Sequence, residues 1–456
     1  LLALSVARLT GDDTRPFTEA ARRLARFART VADDRGRLAR IGDDDGGQLF
    51  PIAGRDSADA RDSLALASWL LADPSLAIGP VPEEAIWLSG GGAAVGDRVR
   101  ATAPVASTTL GDSGYTICRT ARGDHLVLDT GPHGYLNGGH AHADALSLTL
   151  TVAGRPLLVD PGTACYTIDP ARRDRFRSTR LHNTLTLDGR PQSEPAGPFH
   201  WTTAAAGSRL TWCTSPGFDY VEGTHDGYAP LAHRRAVLAR PGCWIVADRV
   251  LGDGEHRAEI FWHLDPRWTV TPAADGWLRA SDGSGDPVWI TSLNGAIEIL
   301  RGGDAGEPDL GFVAPAYGLV VPSTTLRVTH RGPAPFAVAT VIVEAATCPA
   351  VDALSVRSGD AVDPTAVGLR LTQADVTDTV VFGSATPDVA GTASTPLRPS
   401  GWAGDLETDA ALLWCRERGS EPARHVAVVD GSLVRTRDGR ALVSLSAPVA
   451  CRETVA

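Results

Sequence analysis

The chain has 456 residues, 43% of them hydrophobic and 21% charged, with a formal net charge of -11. That length predicts two or three domains rather than one small core. The acidic balance argues against non-specific nucleic-acid binding, which needs basic patches, and no stretch approaches the roughly 20 apolar residues of a membrane span.

The chain opens at Leu1 inside a helical pattern and contains no methionine, so an intact translation product is not expected. Leu1 to Ala7 is apolar enough for a signal h-region but lacks a basic n-region and a cleavage site. The first ninety or so residues read as helical. Phe17, Ala20, Leu24, Phe27 and Val31 recur at helical spacing, with Arg22, Arg23 and Arg26 between them. Thr14 followed by Pro16 predicts the start of that helix. A second helix is predicted near Ser57 to Leu71, and a third short one from Glu83 to Leu88. Between the first two lies Asp43-Asp44-Asp45-Gly46. Its acids are consecutive and no Glu closes the loop at the EF-hand offset, so a plain Asp-rich turn is the better reading.

Ser89-Gly90-Gly91-Gly92 ends the helical texture. With 48 Gly and 31 Pro against 10 Phe and 6 Tyr, the rest predicts many turns and short strands. Apolar or alternating runs recur at Leu146 to Val152, Ala236 to Ala239, Phe336 to Val343, Val426 to Val429 and Ala441 to Leu445. Strands at this spacing predict an antiparallel sandwich. The domain boundary is placed between Gly90 and Gly96.

Seven cysteines occur, at 118, 165, 213, 243, 348, 415 and 451. None forms a CxxC pair. The odd count and wide spacings predict buried free thiols rather than a disulfide framework. Cys165 reads as a packed thiol.

Chemistry concentrates in three neighbouring segments. The first is Asn137-Gly138-Gly139-His140-Ala141-His142-Ala143-Asp144. The second is Leu157-Leu158-Val159-Asp160-Pro161-Gly162-Thr163, followed by Tyr166. The third is Phe176-Arg177-Ser178-Thr179-Arg180-Leu181-His182-Asn183-Thr184. His140 and His142 share a face if the backbone is extended. Two imidazoles with a carboxylate and a third histidine nearby suit zinc, which takes nitrogen and oxygen ligands. Separate, hydrogen-bonded histidines are the bland alternative, and HxH alone would not displace it. A tight hairpin at Gly154-Arg155 would set Asp160 opposite about Thr149, so a metal site needs a bend between His142 and Leu146. Arg172, Arg173, Arg175, Arg177 and Arg180 suit carboxylate or sulfate recognition. They suit equally a solvated face paired with Asp169 and Asp174.

The runs GGHAHADALSLTL, GRPLLVDPGTACYT and RDRFRSTRLHNTLTLDGR resemble the heparinase II/III-type polysaccharide lyases and related alginate lyases. The resemblance is strongest from about Asp112 to Asp188. It implies an α+β multidomain fold: residues 1–96 as the C-terminal part of an (α/α) toroid, and 97–456 as a large antiparallel β-sandwich domain. It implies His140 as the catalytic residue. It implies one structural zinc on His142, Asp160 and His182, and substrate contact at Tyr166, with Arg177 and Arg180 as further candidates. The implied reaction is β-elimination on an acidic, uronic-acid-containing polysaccharide. The implied setting is secreted, periplasmic or cell-surface, with a homodimer compatible. The family also draws a Tyr, and often an Asn or His, from its toroid; these are expected before Leu1. Two rival readings are a non-catalytic zinc-containing carbohydrate-binding or assembly protein, and a zinc hydrolase that activates water.

Overall fold

A computed structural model describes residues 1–48, 54–90, 105–304, 306–385, 400–419 and 425–455. The predicted boundary at residues 91–96 lies outside the described residues. Helices occupy Leu2–Thr10, Arg15–Val31, Arg61–Leu71 and Glu83–Leu88. The second has Thr14 at its N-cap position and a proline in its first turn, where the missing N–H costs nothing.

The buried face of that second helix differs from the one its large residues suggest. Phe17 is 41% exposed and Leu24 70% exposed, whereas Ala21, Ala25 and Val31 are buried. Small side chains let two helices approach closely. Ala21 packs with Leu4, Leu66 and Leu70, and Ala25 with Ala67 and Leu76. The closer fit of the alanine stripe wins over the larger residues.

From Thr108 onward strands dominate the described chain, interrupted by the motif-bearing loops and the short helix Pro170–Phe176. A five-stranded antiparallel sheet runs in chain order through Thr108–Thr109, Tyr115–Arg119, His125–Asp129, Leu148–Val152 and Arg155–Leu158. A ten-stranded sheet follows, built on two 21-residue strands, Cys243–His263 and Thr324–Glu344. Two six-stranded sheets complete the chain. The sheets stack. Leu126 and Leu150 of the first sheet meet Trp244, Val246 and Ile342 of the second. The alternate residues Ile245, Ala247, Val341 and Val343 face Leu369, Val380 and Phe382 of the third. Val381 and Leu413 turn to Val434 and Val443 of the fourth. Side chains alternate across a strand, so strands buried on both faces read as unbroken apolar runs. That is why Phe336 to Val343 carries no polar alternation. Each such Val or Ile contributes ~2 kcal/mol by burial.

The expectation of free thiols throughout is corrected at one pair. Cys213 and Cys451 form a disulfide across 238 residues. It ties the strand Gly207–Ser215, at one end of the ten-stranded sheet, to the chain just before the last strand, Arg452–Val455. Partners this far apart leave no spacing signal. Cys118, Cys165 and Cys243 are free and buried, Cys348 is free and exposed, and Cys415 is buried.

One buried charge group links this scaffold to the motif-bearing loops. Asp248 and Arg235 are both fully buried. Arg235 Nε and Nη2 donate to Asp248 at 2.8 and 3.0 Å, and His233 Nε2 lies 2.7 Å from the same carboxylate. Arg235 Nη1 donates to the carbonyls of Leu146 and Asn183, and the guanidinium lies over the Trp262 ring.

Candidate metal centre and adjoining surface

The bend required between His142 and the first sheet is present, and it is not made by glycine. Leu146 adopts a left-handed φ of 60. Ser147 N donates to Asp144 O, and Leu146 N to Asp129 O. The Leu146 side chain is fully buried, and its carbonyl is held by Arg235. Burial and these bonds offset the cost of a left-handed leucine, about 1–2 kcal/mol. Asn183 braces the same corner. Its Nδ2 donates to Leu148 O and Val159 O, and its Oδ1 accepts from His263 N.

This corner brings His142, Asp160 and His182 together. One ligand atom from each lies within 4.8 Å of the others, and all three residues are buried. His182 Nδ1 lies 2.7 Å from Asp160 Oδ2, and Gly162 N donates to Asp160 Oδ1. His142 Nδ1 and His182 Nε2 are buried with no partner among the described residues. An unpaired buried imidazole nitrogen is costly, and two of them beside a carboxylate form a donor set that fits a metal ion. Burial drives the His182 pKa down, but Asp160, Asp144 and Asp129 outweigh it and the net shift is upward. Burial likewise pushes Asp160 up, yet His182 and His142 bring it below the ordinary carboxylate value. Asp129 and Asp144 are raised by burial. Asp129, Asp144 and Asp160 line a cavity of about 20 Å³ with Tyr115. The local field therefore favours a cation.

A residue passed over in the sequence sits at the centre of the arrangement. Asp43 is only 2% exposed. Its Oδ1 lies 3.0 Å from His142 Nε2 and accepts from Thr163 Oγ1 at 3.0 Å. Its Oδ2 lies 3.0 Å from His140 Nδ1. Arg173, itself fully buried, donates to both oxygens. Burial pushes the Asp43 pKa up, but the bonds from His142 and Arg173 prevail and hold it far below the usual carboxylate range. Asp44 and Asp45 do cap a turn, accepting from Gly46 N and Gly47 N. The expected Asp-rich turn is thus correct for two acids and incomplete for the first.

Backbone contacts dock this loop. Asp43 N donates to His140 O, and Tyr317 N to Asp45 O. Gly42 has φ +55, and a Cβ there would meet His140 O at 2.4 Å. Gly42→Ala should therefore cost about 2–3 kcal/mol in thermal or urea unfolding. Gly11→Ala, at φ +76 in open space, should cost only about 1 kcal/mol. Equal losses would mean that the docking contact adds nothing.

His140 stands apart from the buried trio. Its side chain is 77% exposed, and its ring lies 5.6 Å from that of Phe199. Phe199 continues to Tyr166 at 5.5 Å, and Tyr166 to Tyr317 at 5.3 Å. Tyr166 is half-buried; its hydroxyl donates to Asp45 Oδ2 and its ring lies under Arg173. Burial, then Asp45 and Asp43, raise the Tyr166 pKa. Phe199 and Tyr317 carried no motif and were not foreseen.

The arginines separate by environment. Arg177 is completely buried. It donates to Asp174 Oδ1 and to the carbonyls of Gly197 and His200, and stacks on Trp201. This corrects its expected place on a binding surface: its donors face protein acceptors. Arg180 is 37% exposed and pairs with Glu307. Arg172 and Arg175 both pair with Asp309.

A family model described as Heparinase II/III-like, C-terminal matches residues 102–354, more than half of the chain. A heparin-sulfate lyase of Pedobacter heparinus is 29% identical over 143 residues, which is 30% of this chain and 20% of that protein. Among solved structures, the heparan sulfate lyase HepC of Pedobacter heparinus matches with a TM-score of 0.53 and 20% identity, over 75% of this chain and 49% of that one. A heparinase III structure matches with a TM-score of 0.56 and 14% identity, over 81% and 54%. The chain thus spans about half the length of these solved relatives, and at such identities the likeness is one of fold.

Proposed function

Because the chain belongs to the Heparinase II/III-like, C-terminal family, we propose that it is the β-rich part of a polysaccharide lyase. The substrate in this reading is an acidic, uronic-acid-containing polysaccharide cleaved by β-elimination. Residues 1–96 are read as the C-terminal helices of an (α/α) toroid, and 97–456 as the antiparallel β-sandwich domain. The observation that carries the reading is an exposed imidazole, His140, on a wall stiffened by the buried His142, Asp160 and His182 and flanked by Tyr166, Phe199 and Tyr317.

In β-elimination the C5–H bond breaks and its proton goes to a base. The electron pair forms the C4=C5 double bond, the C4–O bond breaks, and the leaving oxygen takes a proton. His140 is positioned to move one of these protons, and an imidazole has the right unperturbed pKa for either role. Charge builds beside the uronate carboxylate as the proton leaves, so the site must oppose that charge. Tyr166 lines the approach and Arg180 offers a partly exposed guanidinium. His142, Asp160 and His182 would hold one zinc ion; when bound, it supplies a fixed positive charge and a cross-link between three segments. The Cys213–Cys451 disulfide supports an exported, oxidising location.

The test is direct. The protein is incubated with a panel of uronic-acid polymers, and products are read by ultraviolet absorbance and mass. Unsaturated uronate ends are expected. Saturated ends would assign a hydrolase, and binding without products a non-catalytic protein. Metal analysis of the purified protein should find zinc, lost in His142→Ala, Asp160→Ala and His182→Ala. Absence of metal from the wild type, or metal held at the cysteines, would remove the site.

A further inference from the structure

We infer that Asp43 is a positioning residue that sets the tautomers of both histidines of the HxH pair. The inference deepens the reading above and rests on it for the roles of His140 and His142.

Asp43 is buried and faces Arg173 through both of its carboxylate oxygens. An arginine can only donate. The Thr163 hydroxyl also donates to it. A carboxylate among such donors carries no proton, so the two histidine nitrogens that face it must each bring one. His142 is therefore protonated on Nε2, which leaves Nδ1 bare. That Nδ1 is the buried nitrogen with no partner, beside Asp160 and His182. A bare nitrogen is what a metal requires. By the same rule His140 is protonated on Nδ1, which leaves Nε2 bare on an exposed ring. A bare nitrogen facing open surface is what a proton acceptor requires.

One carboxylate thus fixes two different outcomes in neighbouring residues. The strand-like spacing of the histidines does not do this, because a free imidazole exchanges its tautomers. Asp43 sits on a loop remote in sequence, held against His140 by its own backbone N–H and by the close approach of Gly42.

Asparagine at position 43 separates the two effects. Oδ1 is the more crowded oxygen, with His142, Thr163 and Arg173 on it. An asparagine places its carbonyl there and turns its NH₂ toward His140 and Arg173 Nη2, which loses one acceptor. His142 keeps its acceptor, whereas His140 Nδ1 now meets a donor and must give up its proton. Asp43→Ala removes both acceptors.

The measurement is nitrogen-15 NMR on histidine-labelled protein, with zinc affinity read by chelator competition and kcat and KM measured on a cleaved polymer. In the wild type, His140 is expected as the Nδ1–H form. In Asp43→Asn it should become Nε2–H, with zinc affinity within a few-fold of wild type. Its kcat should fall about a hundredfold or more at nearly constant KM. In Asp43→Ala, zinc affinity should fall about 10- to 100-fold. His140 in the Nε2–H form in the wild type, or unchanged by Asp43→Asn, would overturn the inference. So would zinc affinity undiminished in Asp43→Ala. A wild type that yields no unsaturated product would instead reject the lyase reading, and the tautomer and metal results would still decide the role of Asp43. Should Asp43→Ala fail to fold, Asp43→Asn alone retains the tautomer test.

Discussion

Alanine at His140 is expected to reduce release of unsaturated uronate by about 10²- to 10⁴-fold, the span contributed by one proton-transfer group. In barrier terms that is about 3–5 kcal/mol. The same variant should unfold within about 1.5 kcal/mol of wild type, because the side chain is largely exposed and fills no core, and Asp43 keeps Arg173 when the His140 bond is lost. It should also keep its full metal content, since His140 is not one of the three clustered residues that could hold an ion. These readouts are independent. A fold-intact, metal-loaded, inactive variant places His140 in the chemistry. A fully active variant removes it, and loss of metal would mean that the HxH pair acts as a single metal site.

The second large effect is on stability. Asp248→Ala is expected to cost about 3–5 kcal/mol, because it strands a buried partner charge. Arg235 would lose both donors' acceptor while its Nη1 remains tied to Leu146 and Asn183. The folded Asp248 has its pKa raised by burial and lowered more strongly by Arg235 and His233. A carboxylate depressed in the folded state contributes stability above its unfolded pKa and loses it as pH falls through the folded value. Urea unfolding followed by tryptophan fluorescence would report the loss, since Trp262 lies against Arg235. Asp248→Asn should cost less, because one acceptor survives. Equal stability in Asp248→Ala and wild type would mean that the group is not a structural tie.

Much of the site was legible because metal chemistry restricts residue types. HxHxD, VDPG and HNT together named His142, Asp160 and His182, and the structure brings these three within reach of one ion. Two things could not be read. Asp43 lies 97 residues before His140, and an acid in an Asp-rich turn looks like any solvated acid until tertiary contacts bury it. The five arginines between 172 and 180 are chemically alike, so sequence cannot separate Arg173 on Asp43 from Arg177 under Trp201. In the fold, the strand runs and the helix Glu83–Leu88 were legible from apolar pattern. The helix Arg15–Val31 was legible in extent but not in orientation, because close packing of alanines overrode side-chain size. The left-handed Leu146 carries no turn residue to announce it.

The disulfide between Cys213 and Cys451 changes the covalent topology of the molecule. Everything between those residues is a closed ring, and the ring contains most of the ten-stranded sheet and nearly all of both six-stranded ones. The segments that carry His140, Asp160 and His182 hang from it as a linear arm. A single backbone cut within the ring releases no fragment, whereas one cut between His182 and Cys213 separates the motifs from the scaffold that braces them.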